Sequence, residues 1–210
     1  MSARLAKGLA AIAVLALVGC AAPDKPARAT LYDFGPGPST ATAAPAQARP
    51  PLVLADIESS AALDSSALLY RLGYDDAHQL RPYAHARWSA PPPQLIRQRL
   101  REQLARDGPV LDLGESAALA RNAGAMPRIL RIELEEFSHY FETPAQSWGL
   151  VRLRATLLDN TSAGERLLDQ RMIVMRTPAP TPDAPGGVRA LAAAGDGAAE
   201  QIAQWVAQQR

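Results

Sequence analysis

One cysteine, three histidines and a scatter of serines and carboxylates are the residues with reactive side chains in this chain of 210 residues. Cys20 is the lone thiol, so it cannot close an internal disulfide, and in an exported protein it needs another use. His78, His85 and His139 lie far apart, and none has an i, i+3 or i+4 partner that would place two imidazoles on one metal. No metal ligand set is expected. Ser116 sits in GESAA rather than GxSxG, and Ser65-Ser66 have no glycine framing, so no serine reads as an activated nucleophile. Glu133 and Glu135 share a strand face, as an acid and base pair would require. They alternate with apolar residues beside arginines, however, which favours solvated cross-strand charge pairing. Gly195-Asp196-Gly197 is a fragment of a phosphate-loop pattern with neither a further glycine nor a preceding strand, and it reads as a flexible spot in the last helix. Asn160-Thr161-Ser162 fits a glycosylation sequon but is explained as a turn. No catalytic residue emerges, and the chain is expected not to be an enzyme.

What surrounds Cys20 is more specific. Arg4 and Lys7 precede an apolar run from Gly8 to Val18, which suits an export signal and falls short of the roughly 20 apolar residues that span a bilayer. The run ends in Leu17-Val18-Gly19-Cys20, which resembles the lipobox of bacterial lipoproteins. The resemblance implies that residues 1–19 are removed as a signal peptide and that Cys20 carries covalent lipid, including acyl chains such as palmitate. No other cofactor is expected. Each buried methylene contributes about 0.8 kcal/mol, so several acyl chains hold a protein at a membrane essentially permanently. Ala21 follows the cysteine where, in well-studied Gram-negative bacteria, aspartate would retain the protein in the inner membrane. The expectation is a protein anchored in the outer membrane and facing the periplasm. Residues 20–29 form a short tether, whose nine residues after the cysteine reach at most about 30 Å.

The rest of the chain is long enough for one domain, here residues 30–210. Of the 22 basic and 21 acidic residues, Arg4 and Lys7 leave with the signal. The remainder is near neutrality and has no field to attract nucleic acid. The prolines cluster rather than spread, which marks punctuation between ordered elements. Gly35 to Pro50 has no large apolar side chain and is expected to be a mobile loop. Thr177 to Gly187 reads the same way.

The elements around these loops are predicted from periodicity. Thr30–Phe34 and Leu52–Ile57 read as short strands. Leu68–Tyr74 and Gln79–Trp88 form a hairpin about Asp75-Asp76-Ala77, with Pro82 placing the second strand at an edge or a bulge. Pro91-Pro92-Pro93 opens a helix over Gln94–Arg106, capped near Ser89 or Ala90, with Leu95, Ile96, Leu100 and Leu104 on its apolar face. Arg128–Glu135, Leu150–Leu158 and Arg166–Arg176 alternate as half-buried strands of an antiparallel meander. Val188–Gln208 is an amphipathic helix weakened by Gly195 and Gly197. Trp88, Trp148 and Trp205 read as core residues. The fold class is α+β: a single domain with a mostly antiparallel sheet and two main amphipathic helices packed on one face.

Three features together resemble the auxiliary lipoproteins of ABC-type transport systems, the family that includes the lipoprotein of paraquat-inducible operons. They are the lipobox followed by Tyr32-x-Phe34, the block LLYRLGYDDAHQLRPYAHARWSAPPPQLIRQRLREQL from Leu68 to Leu104, and the late meander with its helix. The long loop at Gly35–Pro50 and the PPP after Trp88 depart from the family's pattern. The resemblance implies a non-enzymatic accessory of intermembrane lipid transport. It would act beside a transporter subunit of the mammalian-cell-entry type, with the ATPase on another chain because no Walker motif is present. Trp88, Arg97 and Arg101 are the candidate partner-contact residues, and homo-oligomeric assembly is compatible with the reading. A second reading is a lipoprotein activator of a cell-wall synthase or an outer-membrane assembly factor, since those too are tethered α+β modules.

Overall fold

The computed structural model describes residues 28–37, 51–114, 126–161 and 163–209. The signal segment, Cys20, Ala21, most of the tether, Ser116 and the predicted loop beyond Gly37 lie outside the described residues.

Among the described residues nine strands build one sheet: β1 Thr30–Tyr32, β2 Leu52–Leu54, β3 Glu58–Ser59, β4 Ala67–Leu72, β5 Asp76–Trp88, β6 Val110–Leu111, β7 Arg128–Phe141, β8 Ser147–Thr161 and β9 Gly164–Pro178. Among the described residues the two long helices are α1, Pro92–Leu104, and α2, Ala184–Gln208. The meander β7, β8, β9 is antiparallel throughout, as its alternating side chains predict. The other edge of β7 is shared in series by three short strands, all parallel to it. Leu52 stands beside Arg128, Glu58 beside Glu133 and Tyr70 beside His139. Strands near β2 and β4 are predicted, but their parallel pairing with β7 has no helical crossover to announce it, and neither that pairing nor β3 is foreseen from the sequence.

The β4/β5 hairpin forms as expected, but its turn is Gly73-Tyr74-Asp75 rather than residues 75–77, because Asp76 already pairs with Leu72. Pro82 lies opposite Leu69 beside a register shift, the tolerated place for a residue that cannot donate to the ladder. The strand predicted over Leu52–Ile57 stops at Leu54 and resumes only at Glu58. The loop predicted over Thr177–Gly187 is also corrected. Thr177 and Pro178 end β9, and α2 begins at Ala184. Asp183 caps α2 by accepting from the Gly186 amide at 2.8 Å, so its proline and two glycines serve the first helical turn. α1 has no side-chain cap, its cap residue being Pro91. Ser89 instead donates its backbone N–H to Tyr32 at 2.7 Å, extending the β1/β5 pairing.

A bulge decides how β7 faces the core. Leu134 pairs with Leu153 but Glu136 pairs with Arg152, so Glu135 is the extra residue. Strict alternation would carry Leu130, Ile132 and Leu134 on to Glu136 and Ser138. The bulge resets the parity, and Phe137, His139 and Phe141 take the inward positions next to the helices. Both helices pack on that face. Leu95, Ile96, Leu100 and Leu104 of α1 join Leu191, Ile202 and Trp205 of α2 over Leu153 and Leu157. The opposite face carries the expected charge pairs, among them Arg152 with Glu135 at 3.0 Å and Arg154 with Glu133 at 3.8 Å.

Helix α2 lies hard against β8 because Gly149 has no side chain. A Cβ there would sit 2.4 Å from the carbonyl carbon of Ala190, a backbone contact that cannot yield locally. Gly149→Ala should therefore destabilise the domain by about 1–3 kcal/mol, measured as a lower urea midpoint with an unchanged slope.

Candidate functional site

Several separate segments meet where β1 joins the sheet. β1 pairs in parallel with the end of β5, Thr30 beside Ala86 and Tyr32 beside Trp88. Asp33 then accepts from the Gly35 amide at 2.8 Å, and Gly35 takes φ of +70°, a turn that suits glycine. The turn sends the Phe34 ring into the core. It meets Trp88 edge-on at 5.6 Å and stacks on Phe137 at 6.0 Å, geometries that aromatic quadrupoles favour.

Arg99 of α1 closes over this arm. Its side chain is only 5% exposed, and a guanidinium so placed must find partners, because a lone buried charge costs several kcal/mol. Nη2 donates to the carbonyls of Phe34 and Gly35, each at 2.6 Å. Nη1 donates to Glu102 at 2.9 Å, and Nε forms an ion pair with Asp196 of α2 at 3.0 Å. One side chain thus ties the arm, α1 and α2 together. Burial pushes the Asp196 carboxyl above its ordinary range; Arg99 opposes that push and Glu102 adds to it. Gly195, beside Asp196, lies close against the arm: a Cβ there would lie 2.8 Å from the Phe34 ring. The GDG segment is accordingly not a flexible spot. Its glycine admits the arm and its aspartate receives the clamp. An open cleft of about 490 Å³ lies between the helices next to Arg99 and Asp196. A second, of about 430 Å³, lies between the arm and α2 beside Leu31 and Val188.

The partner-contact residues suggested by the sequence have internal roles. Trp88 is 1% exposed and offers no surface. Arg97 pairs with Asp56 at 3.3 Å, hydrogen-bonds Asp112 and donates to the Leu54 carbonyl at 3.3 Å. Arg101 reaches Asp112 at 3.1 Å and the Val110 carbonyl at 3.1 Å. These two arginines pin β2 and β6 to α1 rather than standing free. The hydrogen bond from Arg97, with Arg101 nearby, holds the Asp112 carboxyl below its usual range. Of the other tryptophans, Trp205 is fully buried and donates Nε1 to Asp169 at 2.8 Å, whereas Trp148 is half-buried and donates to Glu142 at 3.0 Å.

His139 is the one histidine drawn into the core. Its Nδ1 lies 2.9 Å from the Tyr83 hydroxyl. Burial lowers its pKa to about 4 and raises that of Tyr83. The imidazole is thus neutral at pH 7, a packing element rather than a proton donor. Among the described residues no three His, Cys, Asp or Glu side chains gather as a metal site would require.

A family model described as the ABC-type transport auxiliary lipoprotein component matches residues 32–203. The chain belongs to that family. The match opens at the arm and runs through most of α2, so it includes the arm, the clamp and the sheet. Protein XCC0632 from Xanthomonas campestris has a similar fold, with a TM-score of 0.69 and 17% identity over 85% of this chain and 94% of its own. Protein CT253 from Chlamydia trachomatis is a more distant likeness, with a TM-score of 0.51 and 8% identity over 77% of this chain and 98% of its own. No curated protein matches the sequence significantly.

Sequence reasoning missed the clamp. Arg99 falls on the helix face between apolar positions, and neither Phe34 nor Asp196 is near it in sequence. The only local signal is a charge at a position of α1 that the helix turns inward.

Two outcomes follow from this geometry. Arg99→Leu leaves Asp196 and two carbonyls without their cation and should cost about 2 kcal/mol, below the full buried-pair value because Asp196 is partly exposed. It should also speed hydrogen exchange at the Ser89 amide, which bonds to the arm. For His139, the folded pKa lies below the ordinary 6.5, so between pH 6.5 and about 4 the unfolded chain takes up a proton that the folded one refuses. Stability should therefore fall by about 2 kcal/mol from pH 7 to pH 5, and urea titrations of His139→Gln at both pH values should show a smaller fall.

Proposed function

We propose that this protein is a non-enzymatic accessory subunit of an ABC-type system that moves lipids between membranes. It is held by lipid on Cys20 at the periplasmic face of the outer membrane and contacts a transporter subunit of the mammalian-cell-entry type. The family match over residues 32–203 carries the transport part of this reading. The site geometry supports the accessory part. Arg97, Arg99 and Arg101 are engaged in holding elements together, and the arm that follows the tether is fastened into the core, as a protein that works while anchored requires.

For the partner, the outer strand β9 is the favoured surface. It pairs only with β8 among the described residues. On the face away from the helices it exposes Leu167, Met172 and Val174, three of the large apolar side chains left in solvent. Exposed apolar residues gathered on one edge strand mark a contact site.

In a strain that retains the transporter genes, Cys20→Ala should release the protein from membranes and sensitise the envelope to detergents as deletion does. A Met172→Lys, Val174→Lys double variant should stay anchored and folded but lose at least about tenfold of the transporter subunit that co-purifies with it, about 1.4 kcal/mol of binding. An anchored double variant that retains its partner, or co-purification of a peptidoglycan synthase in its place, would refute the assignment.

A further inference from the structure

Strand register gives the height at which the anchor's tether leaves the domain. Thr30 stands beside Ala86, Arg87 lies opposite Ala67, and Tyr70 stands beside His139. β1 therefore starts about level with Phe137 of β7. It runs parallel to β5, whose first residue pairs with Leu72 at the end of the sheet formed by Phe141, Ser147 and Pro178. The chain before Thr30 is directed toward that end, and Arg28, two residues further along, is about level with His139. From there Phe141 is about 7 Å away and Arg128, at the opposite end, about 36 Å, at roughly 3.3 Å per residue. The eight steps from Cys20 to Arg28 reach at most about 28 Å. Of the two ends of the sheet, only the Phe141 end can be brought to the leaflet without the tether falling short.

That end also has the chemistry of a membrane interface. The turn of the β4/β5 hairpin presents Tyr74, 48% exposed, and Trp148 is half-buried beside the 142–146 turn. Amphipathic aromatics of this kind favour the headgroup layer. Its charges have partners in place. Asp75 pairs with Arg81 at 3.3 Å, Glu142 accepts from Trp148 at 3.0 Å and lies 3.8 Å from Arg176, and Asp183 caps α2. At the opposite end, Arg166 of the β8/β9 turn pairs with Asp159 at 2.9 Å, and neither a tryptophan nor a tyrosine is exposed there among the described residues.

We propose that the Phe141 end of the sheet lies on the phospholipid headgroup layer of the anchoring leaflet, with Tyr74 as its deepest contact. This rests on the lipidation of Cys20 proposed above. The test uses the full acylated protein on vesicles of phosphatidylethanolamine and phosphatidylglycerol. Because Cys20 is the sole native cysteine and its sulfur is blocked by lipid, Tyr74→Cys and Glu165→Cys each accept one NBD fluorophore, at opposite ends of the domain. The expected result is a blue shift and a several-fold emission rise on vesicle binding at position 74, quenched by doxyl-labelled lipid, with neither change at 165. Equal responses at the two positions, or a response at 165 alone, overturn the orientation while leaving the anchor intact. Acylated protein that fails to float with the vesicles refutes the anchor, and the orientation with it.

Discussion

A guanidinium that is almost wholly withdrawn from water must be surrounded by acceptors, and Arg99 finds them on three separate stretches of chain. The Phe34 and Gly35 carbonyls come from the arm, Glu102 from its own helix and Asp196 from the other. Desolvation makes the arrangement unforgiving, since removing any acceptor leaves charge in a poorly solvated place. The two helices are therefore held together by the Arg99–Asp196 ion pair. The arm is fixed with them, its Phe34 ring completing an aromatic group with Trp88 and Phe137.

The sheet supplies the surface against which this happens. Its centre is β7, long enough to hold β8 along one side and three short parallel strands in succession along the other. A single bulge at Glu135 lets it do so while keeping Leu130, Ile132, Leu134 and Phe137 inward. Without that extra residue, the half of β7 beneath the arm would present Glu136 and Ser138 to the helices in place of Phe137 and His139. The bulge and the clamp thus serve the same end: one brings Phe137 inward, and the other holds Phe34 on it.

An anchored protein transmits any pull on its lipid through the first element it orders. Among the described residues the first such element is a three-residue strand, too short to be secure by its own hydrogen bonds, and the carbonyls that Arg99 holds lie immediately after it. The load passes into both helices and, through Gly149 and Ala190, into β8. Membership of a family of transport lipoproteins gives this path a purpose, since such a subunit stays fixed to one membrane while engaging other components.

Much of this was legible in the chain. The alternation in Arg128–Glu135, Leu150–Leu158 and Arg166–Arg176 is a local property of each strand, and the spacing of Leu95, Ile96, Leu100 and Leu104 is a local property of α1, so both declared themselves. The block around Trp88 and the late meander likewise pointed to the family that the match over residues 32–203 shows. Three things were not legible, and each depends on residues distant in sequence. The parallel pairing along β7 joins strands two to six residues long, two of them foreseen as strands, and nothing local in them specifies the partner beside them. The turn from Thr177 to Gly187 looked unable to order because its prolines and glycines bury little by themselves; a helix cap at Asp183 and the sheet beside it order them. Trp88, Arg97 and Arg101 looked available to a partner because composition does not reveal which way a side chain turns. Periodicity specifies which residues face inward within an element, whereas the pairing of a buried charge requires two elements to meet, and only the folded chain brings Arg99 to Asp196 and Phe34.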